Sequence, residues 1–350
     1  MQKTFLFIYK HIVIFLIIFL FMVLSLMLYN ISSPNDTPKT FYIASSNLED
    51  VVNTLKKNGY SVTWLDRLML QYNEVPTQGW YSVAPNTRNR FDFFKTLYQQ
   101  KTKTMDVVVY AGETAEELTA RLANDMKLDQ KKLLAYYKRH ALFNEADIFA
   151  GHYTLARNAD ENTSMGYLLD TSRGKLASYA LEYFKEVPEI AELKALLTIA
   201  SIIQKESNSV KEMSHISSVI YNRLEKGMKL QMDSTLNYGK YSHTIVTPER
   251  IKSDTSYYNT YKHKGLPLQP LSTVSLDALY AAKYPAKGDY LFFMLSPKGG
   301  HTFAATYAEH LENLKLFRMY QKEGEERKKK EEAEKEAKEK NDSNVTVIKK

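Results

Sequence analysis

The sequence predicts an α+β protein carried on a single N-terminal transmembrane helix. Three observations point there. The chain opens with an apolar run long enough to cross a bilayer. A strand, a turn and an amphipathic helix then occur twice in the same order, roughly 70 residues apart. Past residue 180 the pattern changes to helical periodicity followed by a glycine-bearing hairpin.

Residues 12–28 are apolar except for Ser25, residues 5–9 prolong the stretch, and Tyr29 falls at its end. Such a span matches the roughly 20 residues a bilayer requires. Lys3 and Lys10 precede it and the next basic residue is Lys39, so the N-terminus is expected in the cytoplasm and everything after Tyr29 outside. A cleaved signal peptide is the rival reading, but its hydrophobic region is usually shorter, and no small-x-small cleavage site follows Leu28. Residues 31–40 read as a polar, proline-bearing linker.

In the repeat, Tyr42-Ile43 followed by Leu48, Val51 and Leu55 reads as strand, turn and helix. Residues 107–110 followed by Leu118 and Leu122 repeat that order. Each copy then carries a Gly-x-Tyr strand, at 79–83 and 151–155, with a helical stretch behind it at 91–97 and 165–169. Small α+β modules of this kind suit docking on polymers. Farther on, helical patterns cover 189–208 and 212–226, with Gly227 as a C-terminal cap. Residues 238–270 are rich in Tyr, Gly and Pro and read as loop. A helix at 275–283, a strand at 290–295 turning through 296–300 into His301-Thr302-Phe303, and a helix at 307–320 complete the region. The Lys/Glu stretch at 321–350 is a solvated helix or a disordered tail and is assigned no chemistry.

Composition narrows the function. The 350 residues give room for two or three domains, and 44% hydrophobic and 12% aromatic content allows a sizeable core. With 47 basic against 40 acidic residues the net charge is +7, which suits an anionic polymer or a membrane surface. No basic stripe with base-stacking spacing appears, so nucleic acid is not expected as a partner. The absence of cysteine excludes disulfides, thiol catalysis and thiolate metal sites. The eight histidines include no H-x-x-x-H or H-E-x-x-H spacing, and Gly-x-Ser-x-Gly and P-loop motifs are missing. Neither a metal nor a cofactor is expected.

Glu206 stands out. At about 100° per residue, Leu196, Ile199, Ile202 and Ile203 form one helical stripe, and Glu206 falls near its middle. Lys205 points the opposite way and Gln204 sits at the edge. A carboxylate facing a core is costly to ionise unless paired, so its pKa should rise. A carboxylic acid that keeps its proton near neutral pH is what general acid catalysis requires. A buried Glu neutralised by an arginine is the other reading these residues leave open. Downstream, three clusters of amides, hydroxyls and aromatics (221–224 with 230–235, 257–261 with 265–267, and 299–303) suit recognition of a sugar's hydroxyl and acetamido groups. Each alone could be structural. Arg223 shares a stripe with Ile216, Val219 and Ile220 and is expected as a buried structural partner.

Six runs stand in a set order: Ala200-Ser201-Ile202-Ile203-Gln204-Lys205-Glu206, Tyr221-Asn222-Arg223-Leu224, Gly227-Met228-Lys229-Leu230-Gln231-Met232-Asp233, Tyr258-Asn259-Thr260-Tyr261, Gly265-Leu266-Pro267 and Gly300-His301-Thr302-Phe303. Together they closely resemble the MltG/YceG-like endolytic murein (peptidoglycan) lytic transglycosylase family, strongly over 182–318 and more faintly over 41–170. The resemblance implies a transmembrane anchor at 1–30, a linker at 31–40, a LysM-like repeat region at 41–175, a mixed α+β catalytic domain with a catalytic helix and a β-hairpin at 176–320, and the charged tail at 321–350. It maps the catalytic glutamate onto Glu206. Asn222, Gln231, Asp233, Tyr258, Asn259, Thr260 and His301 are then the residues expected to line the saccharide cleft. It also implies a bacterial inner-membrane protein with its C-terminal domain outside the cytoplasm, acting on nascent peptidoglycan strands beside the peptidoglycan synthases. The family's earlier motif Glu is Gln204 here, and its Pro-Gly and Asn-Pro-Gly segments are replaced by Leu268-Gln269 and Ser272-Thr273-Val274, which puts that loop's shape in question. A non-catalytic peptidoglycan-binding scaffold of the growth machinery is the alternative from another class. An ordinary muramidase, with Asp233 as its second carboxylate, differs only in the fate of the anomeric carbon.

Overall fold

A computed structural model of the chain describes residues 2–32, 34, 39–83, 89–207 and 209–348. Helix α1 (Gln2–Ile31) is long and apolar enough over Phe5–Ile31 to cross a membrane, and its described side chains are exposed or half-buried. Of the linker expected at 31–40, residues 33 and 35–38 lie outside the described residues, and Lys39 and Thr40 already belong to the first strand.

The chain divides into two compact units, the first made of residues 1–108, 119–139 and 152–170, the second of 109–118, 140–151 and 171–350. In the first, β1 (Lys39–Ile43), α2 (Leu48–Lys57), α3 (Trp64–Tyr72), β2 (Gly79–Val83) and α4 (Arg90–Thr96) follow one another. Strands β1 and β2 pair antiparallel from Lys39 opposite Val83 to Ile43 opposite Gly79. Alternation places Phe41 and Ile43 on the inner face, where Val51, Val52 and Leu55 of α2, Leu70 of α3 and Phe93 and Phe94 of α4 meet them. Asn47 caps α2 by accepting from the Glu49 N–H, and Thr63 and Asp66 form a reciprocal capping box on α3. The same order of elements returns as β3 (Thr104–Val109), α5 (Ala115–Met126), α6 (Gln130–His140) and β4 (Gly151–Ala156), with β3 and β4 paired. Helix α7 (Glu161–Tyr179) follows. The repeat seen in the sequence is therefore a β-α-α-β unit used twice.

In the second unit, α8 (Ile190–Glu206) and α9 (Val210–Glu225) lead through a long irregular stretch, broken by α10 (Pro248–Ser253), to α11 (Leu276–Lys283). The hairpin of β5 (Phe292–Leu295) and β6 (His301–Ala304) pairs Phe292 with Ala304 and Leu295 with His301. Helix α12 (Tyr307–Ile348) ends the chain and carries the helix expected at 307–320 on through the Lys/Glu stretch. Helices α8, α9 and α11 pack around a core of Leu196, Ile199, Ile202, Ile203, Ile216, Ile220 and Leu279. Each such side chain contributes about 1.5–3 kcal/mol on burial. Gly227 takes φ +61° at the end of α9, the left-handed turn expected of a C-terminal cap. Thr247 caps α10 and Pro248 opens it, a helix-start signal set inside the stretch expected to be loop.

Candidate active site

The apolar run of α8 is buried almost throughout its second half, so the helix is held on all sides and its last residue, Glu206, is fixed in place. Buried Thr198 and Ser201 turn their hydroxyls back to the Lys194 and Thr198 carbonyls, at 2.7 and 2.8 Å. The helix stops at Ser207, which is extended (φ −150°) and still donates its N–H to the Ile203 carbonyl.

Glu206 is half-buried, and burial pushes its carboxyl above the ordinary value of 4.5. Opposing that, the Ser234 N–H donates to Glu206 Oε1 at a long 3.4 Å. The Ser234 hydroxyl also lies close enough to oppose the rise, although it is buried without a partner in hydrogen-bonding geometry. The negative charge of Asp233 adds to the rise and His301 counters it. The C-terminal end of α8 is itself a poor place for a negative charge, because the unpaired carbonyls of the last turn point there. Among the described residues Glu206 is thus a carboxyl with one long hydrogen bond, and burial, Asp233 and its helix end all favour the protonated form.

The segment facing it is pinned by Thr260. Its carbonyl accepts from the Gln231 N–H at 3.2 Å, and its hydroxyl accepts from the Met232 N–H at 3.2 Å and meets Thr235 Oγ1 at 2.9 Å. This holds Gln231 at φ +48°, a left-handed conformation, and delivers Asp233 and Ser234 to the mouth of the site. Asp233 is exposed and accepts a hydrogen bond from the Tyr261 hydroxyl at 2.6 Å. Burial, then that bond, pushes the Tyr261 phenol up. Arg223 is buried, donates Nε to the Leu291 carbonyl at 2.7 Å and Nη1 to the Leu230 carbonyl, and lies 5.4 Å over the Phe292 ring. It ties hairpin and loop to α9, the structural role its stripe implied.

His301 is held from the other side. Glu212, in the first turn of α9, accepts the His301 N–H at 2.8 Å on Oε1 and faces its ring Nδ1 at 2.8 Å with Oε2. Burial would raise Glu212, but these contacts and the Ser207 hydroxyl, at 3.1 Å, hold its carboxyl below the usual range. Gly300, at φ +71°, makes room: a Cβ there would lie 2.1 Å from Glu212 Oε1.

Of the residues expected at the cleft, the structure groups Glu206, Asp233 and His301 closely enough for each charge to act on Glu206. Thr260 holds the segment that carries Asp233 and Ser234. Asn222 and Asn259 are spent on the backbone: Asn222 Nδ2 donates to the Gly288 and Tyr290 carbonyls at 2.9 Å each, and Asn259 Nδ2 to the Ile251 and Asp254 carbonyls at 2.8 Å each. Tyr258 stacks on Tyr238, ring centroids 4.2 Å apart, and the carboxylate acting on its phenol is Glu145. Gln231 is exposed. Glu212 escaped the sequence reading of the site, whereas Ser234 and Tyr261 fell inside its clusters without being singled out. The Gly299-Gly300 pair before His301 was the one sign that something approached the backbone there.

Two of the departures, Gln204 and residues 272–274, are taken into the packing. Gln204 Oε1 accepts from the Ser275 N–H at 3.2 Å and hydroxyl at 2.7 Å, and Ser275 in turn caps α11. An amide oxygen serves there without placing a second charge beside Glu206. Residues 272–274 are buried: Thr273 donates its N–H to the Glu113 carbonyl at 2.7 Å and accepts from Gly112 at 3.0 Å, and Val274 accepts from Ala150 at 2.9 Å. They form part of the packed interior.

The sequence model of the YceG-like family matches residues 42–316. The chain belongs to the YceG-like family. Among curated relatives, an endolytic murein transglycosylase of Bacillus subtilis (strain 168) is 28% identical over 225 residues, 58% of this chain and 62% of that protein. One of Streptococcus pneumoniae serotype 2 (strain D39 / NCTC 7466) is 30% identical over 171 residues, 47% of this chain and 30% of that protein. The matches thus span less than two thirds of these relatives' own lengths. A crystal structure of a yceG-like protein from Listeria monocytogenes superposes with a TM-score of 0.51 at 23% identity, covering 79% of this chain and 99% of that one, and shares the fold.

Proposed function

We propose that this YceG-like chain is a membrane-anchored endolytic murein transglycosylase, with Glu206 as its single acid and base. The observation that carries the reading is the Glu206 carboxyl, half-buried at the end of α8, pushed upward by burial and offered one long hydrogen bond. In the reaction, Glu206 gives its proton to the oxygen linking N-acetylmuramic acid to N-acetylglucosamine, and the C1–O bond breaks. The carboxylate left behind takes the proton of the muramic acid's own C6 hydroxyl, whose oxygen bonds to C1 and closes a 1,6-anhydro ring. The nucleophile is intramolecular, so its effective concentration stands in for an activated water. Asp233, steadied by Tyr261, faces the positive charge that develops at C1, and His301, steadied by Glu212, supplies a ring donor on the other side. The relatives' names support the same chemistry.

The two β-α-α-β units act as LysM-like modules that hold the strand, and α1 anchors the chain with residues beyond Tyr29 outside the cytoplasm, where synthases deliver new strands. A scaffold without catalysis gives no reason for an under-donated acid at this position. The test is mass spectrometry of products released from uncrosslinked glycan strands by the full chain, with Glu206→Gln in parallel. Products ending in 1,6-anhydro-muramic acid, absent with the variant, are expected. Reducing ends would overturn the ring-closing step and point to Asp233 activating water. Strands bound but uncut would favour the scaffold.

A further inference from the structure

Helix α3 carries apolar side chains on its outward face as well as its inner one. At 100° per residue its outward face holds Trp64, Leu68, Gln71 and Tyr72, while Asp66 and Leu70 face the core. Trp64 is 70% exposed, Leu68 40% and Tyr72 89%, whereas the carboxylate of Asp66 is fully buried. A surface helix in water normally presents the opposite arrangement. The neighbourhood of this face is equally specific. The Tyr29 hydroxyl, in the last turn of α1, donates to Asp66, Asn30 Oδ1 accepts the Phe91 N–H at 2.9 Å, and Ser32 Oγ lies 3.3 Å from Arg90 Nη1. The Arg90 guanidinium sits 5.0 Å over the Tyr29 ring. The end of α1 is therefore fastened to α3 and α4, and Trp64 lies two residues, about 3 Å of helix rise, from the residue that Tyr29 grips.

We propose that the Trp64, Leu68 and Tyr72 face of α3 lies in the interfacial layer of the lipid bilayer that α1 spans, a second membrane contact beside the anchor. This rests on α1 being a membrane anchor. Continuity decides the occupant: the stripe begins where the apolar helix ends, at the level where Tyr29 stands. Trp and Tyr are the side chains that favour that layer, with an apolar body and a polar tip. The first β-α-α-β unit would then be held flat against the membrane surface and unable to swing on a flexible tether.

The chain holds only two tryptophans, and Trp80 is buried, so the difference between the full chain and Trp64→Phe isolates Trp64 fluorescence. The full chain is reconstituted in vesicles of phosphatidylethanolamine and phosphatidylglycerol, with flotation run alongside. Spin-labelled lipid carries its label near the acyl carbonyl or near the chain end. Flotation together with blue-shifted Trp64 emission, lost preferentially to the carbonyl-side label and shielded from aqueous acrylamide, is the expected result. Flotation with Trp64 quenched by acrylamide and indifferent to both labels would overturn the proposal and leave the anchor standing. Failure to float would overturn both. A shift caused by soluble glycan strands and by neither lipid would assign the face to the strand and overturn the proposal equally.

Discussion

Asp66 and Glu206 are both carboxylates set against apolar cores, one in the first turn of α3 and the other at the last residue of α8, and they are treated oppositely. Asp66 receives Arg90 Nε at 2.9 Å and Nη2 at 2.7 Å, the Thr63 N–H at 2.6 Å and hydroxyl at 2.8 Å, and the Tyr29 hydroxyl. Burial alone would raise it, but these donors hold its carboxyl below the usual range. Its helix end also favours negative charge, whereas that of Glu206 opposes it. Among the described residues Glu206 has one hydrogen-bond donor, at 3.4 Å. Donor count and helix end, more than burial, separate a carboxylate that builds structure from one that can carry a proton. Glu212 makes the same point inside the site, since His301 and Ser207 hold it low.

The contrast can be broken from either side. Glu206→Gln removes the proposed proton carrier while keeping shape and the Ser234 contact, and is expected to lower strand cutting by about 10²–10⁴-fold with an unchanged melting curve. Product release assays and calorimetry on the same samples read both. Asp66→Ala leaves the Arg90 guanidinium buried without its partner. A loss of about 3–5 kcal/mol in the stability of the first β-α-α-β unit is expected, read by denaturant unfolding followed through Trp80. Gly300→Ala drives a Cβ into Glu212 at a left-handed φ, so about 1–3 kcal/mol of destabilisation is expected, together with slower cutting as His301 shifts. Adding Glu212→Ala removes the clash but not the left-handed strain, so it should recover at most part of the stability and none of the activity.

A smaller effect concerns a third carboxylate. Glu145 accepts the Ala115 N–H at 2.7 Å and, chiefly through burial, is pushed up to about 8. Because its folded value lies above its ordinary 4.5, the folded state binds a proton that the unfolded state releases first. Folding therefore loses stability as pH rises from 4.5 to about 8. Glu145→Gln, which keeps the acceptor, should be neutral at low pH and raise the melting temperature progressively across that window. Melting curves taken at several pH values would show this, and a pH-independent change would contradict it.

Much of this was legible in the chain. The stripe of Leu196, Ile199, Ile202 and Ile203 placed Glu206 correctly because a long helix with a strict period leaves little freedom. The strands at 79–83 and 151–155 were visible through their Gly-x-Tyr starts. Helix α3 was not, because Trp64, Leu68 and Tyr72 point outward while an aspartate shares the buried face with Leu70, so no single apolar stripe marks it. Asn222 and Asn259 looked like sugar ligands because an amide's type does not say whether it faces a ligand or a carbonyl. That depends on turns at 254–259 and 288–290, whose closure is a tertiary event. Glu212 carried no motif, and its role comes from a hairpin far along the chain folding back onto α9. The shape of the loop at Ser272-Thr273-Val274 was open in the sequence, and its pairing with residues 112, 113 and 150 places it in the interior.

The most direct measurement of the central claim is the ionisation of Glu206 itself, followed by carbon-13 NMR of labelled glutamate side chains across a pH titration of the full chain. Glu206→Gln assigns its signal, and Glu145→Gln separates that of Glu145, the other glutamate whose pKa is raised among the described residues. A resonance lost only in Glu206→Gln that titrates above 4.5, with cutting falling as pH rises through the same point, is the expected result. Titration at or below 4.5 would mean that Glu206 is ionised like Asp66 and Glu212, and would contradict its role as the acid.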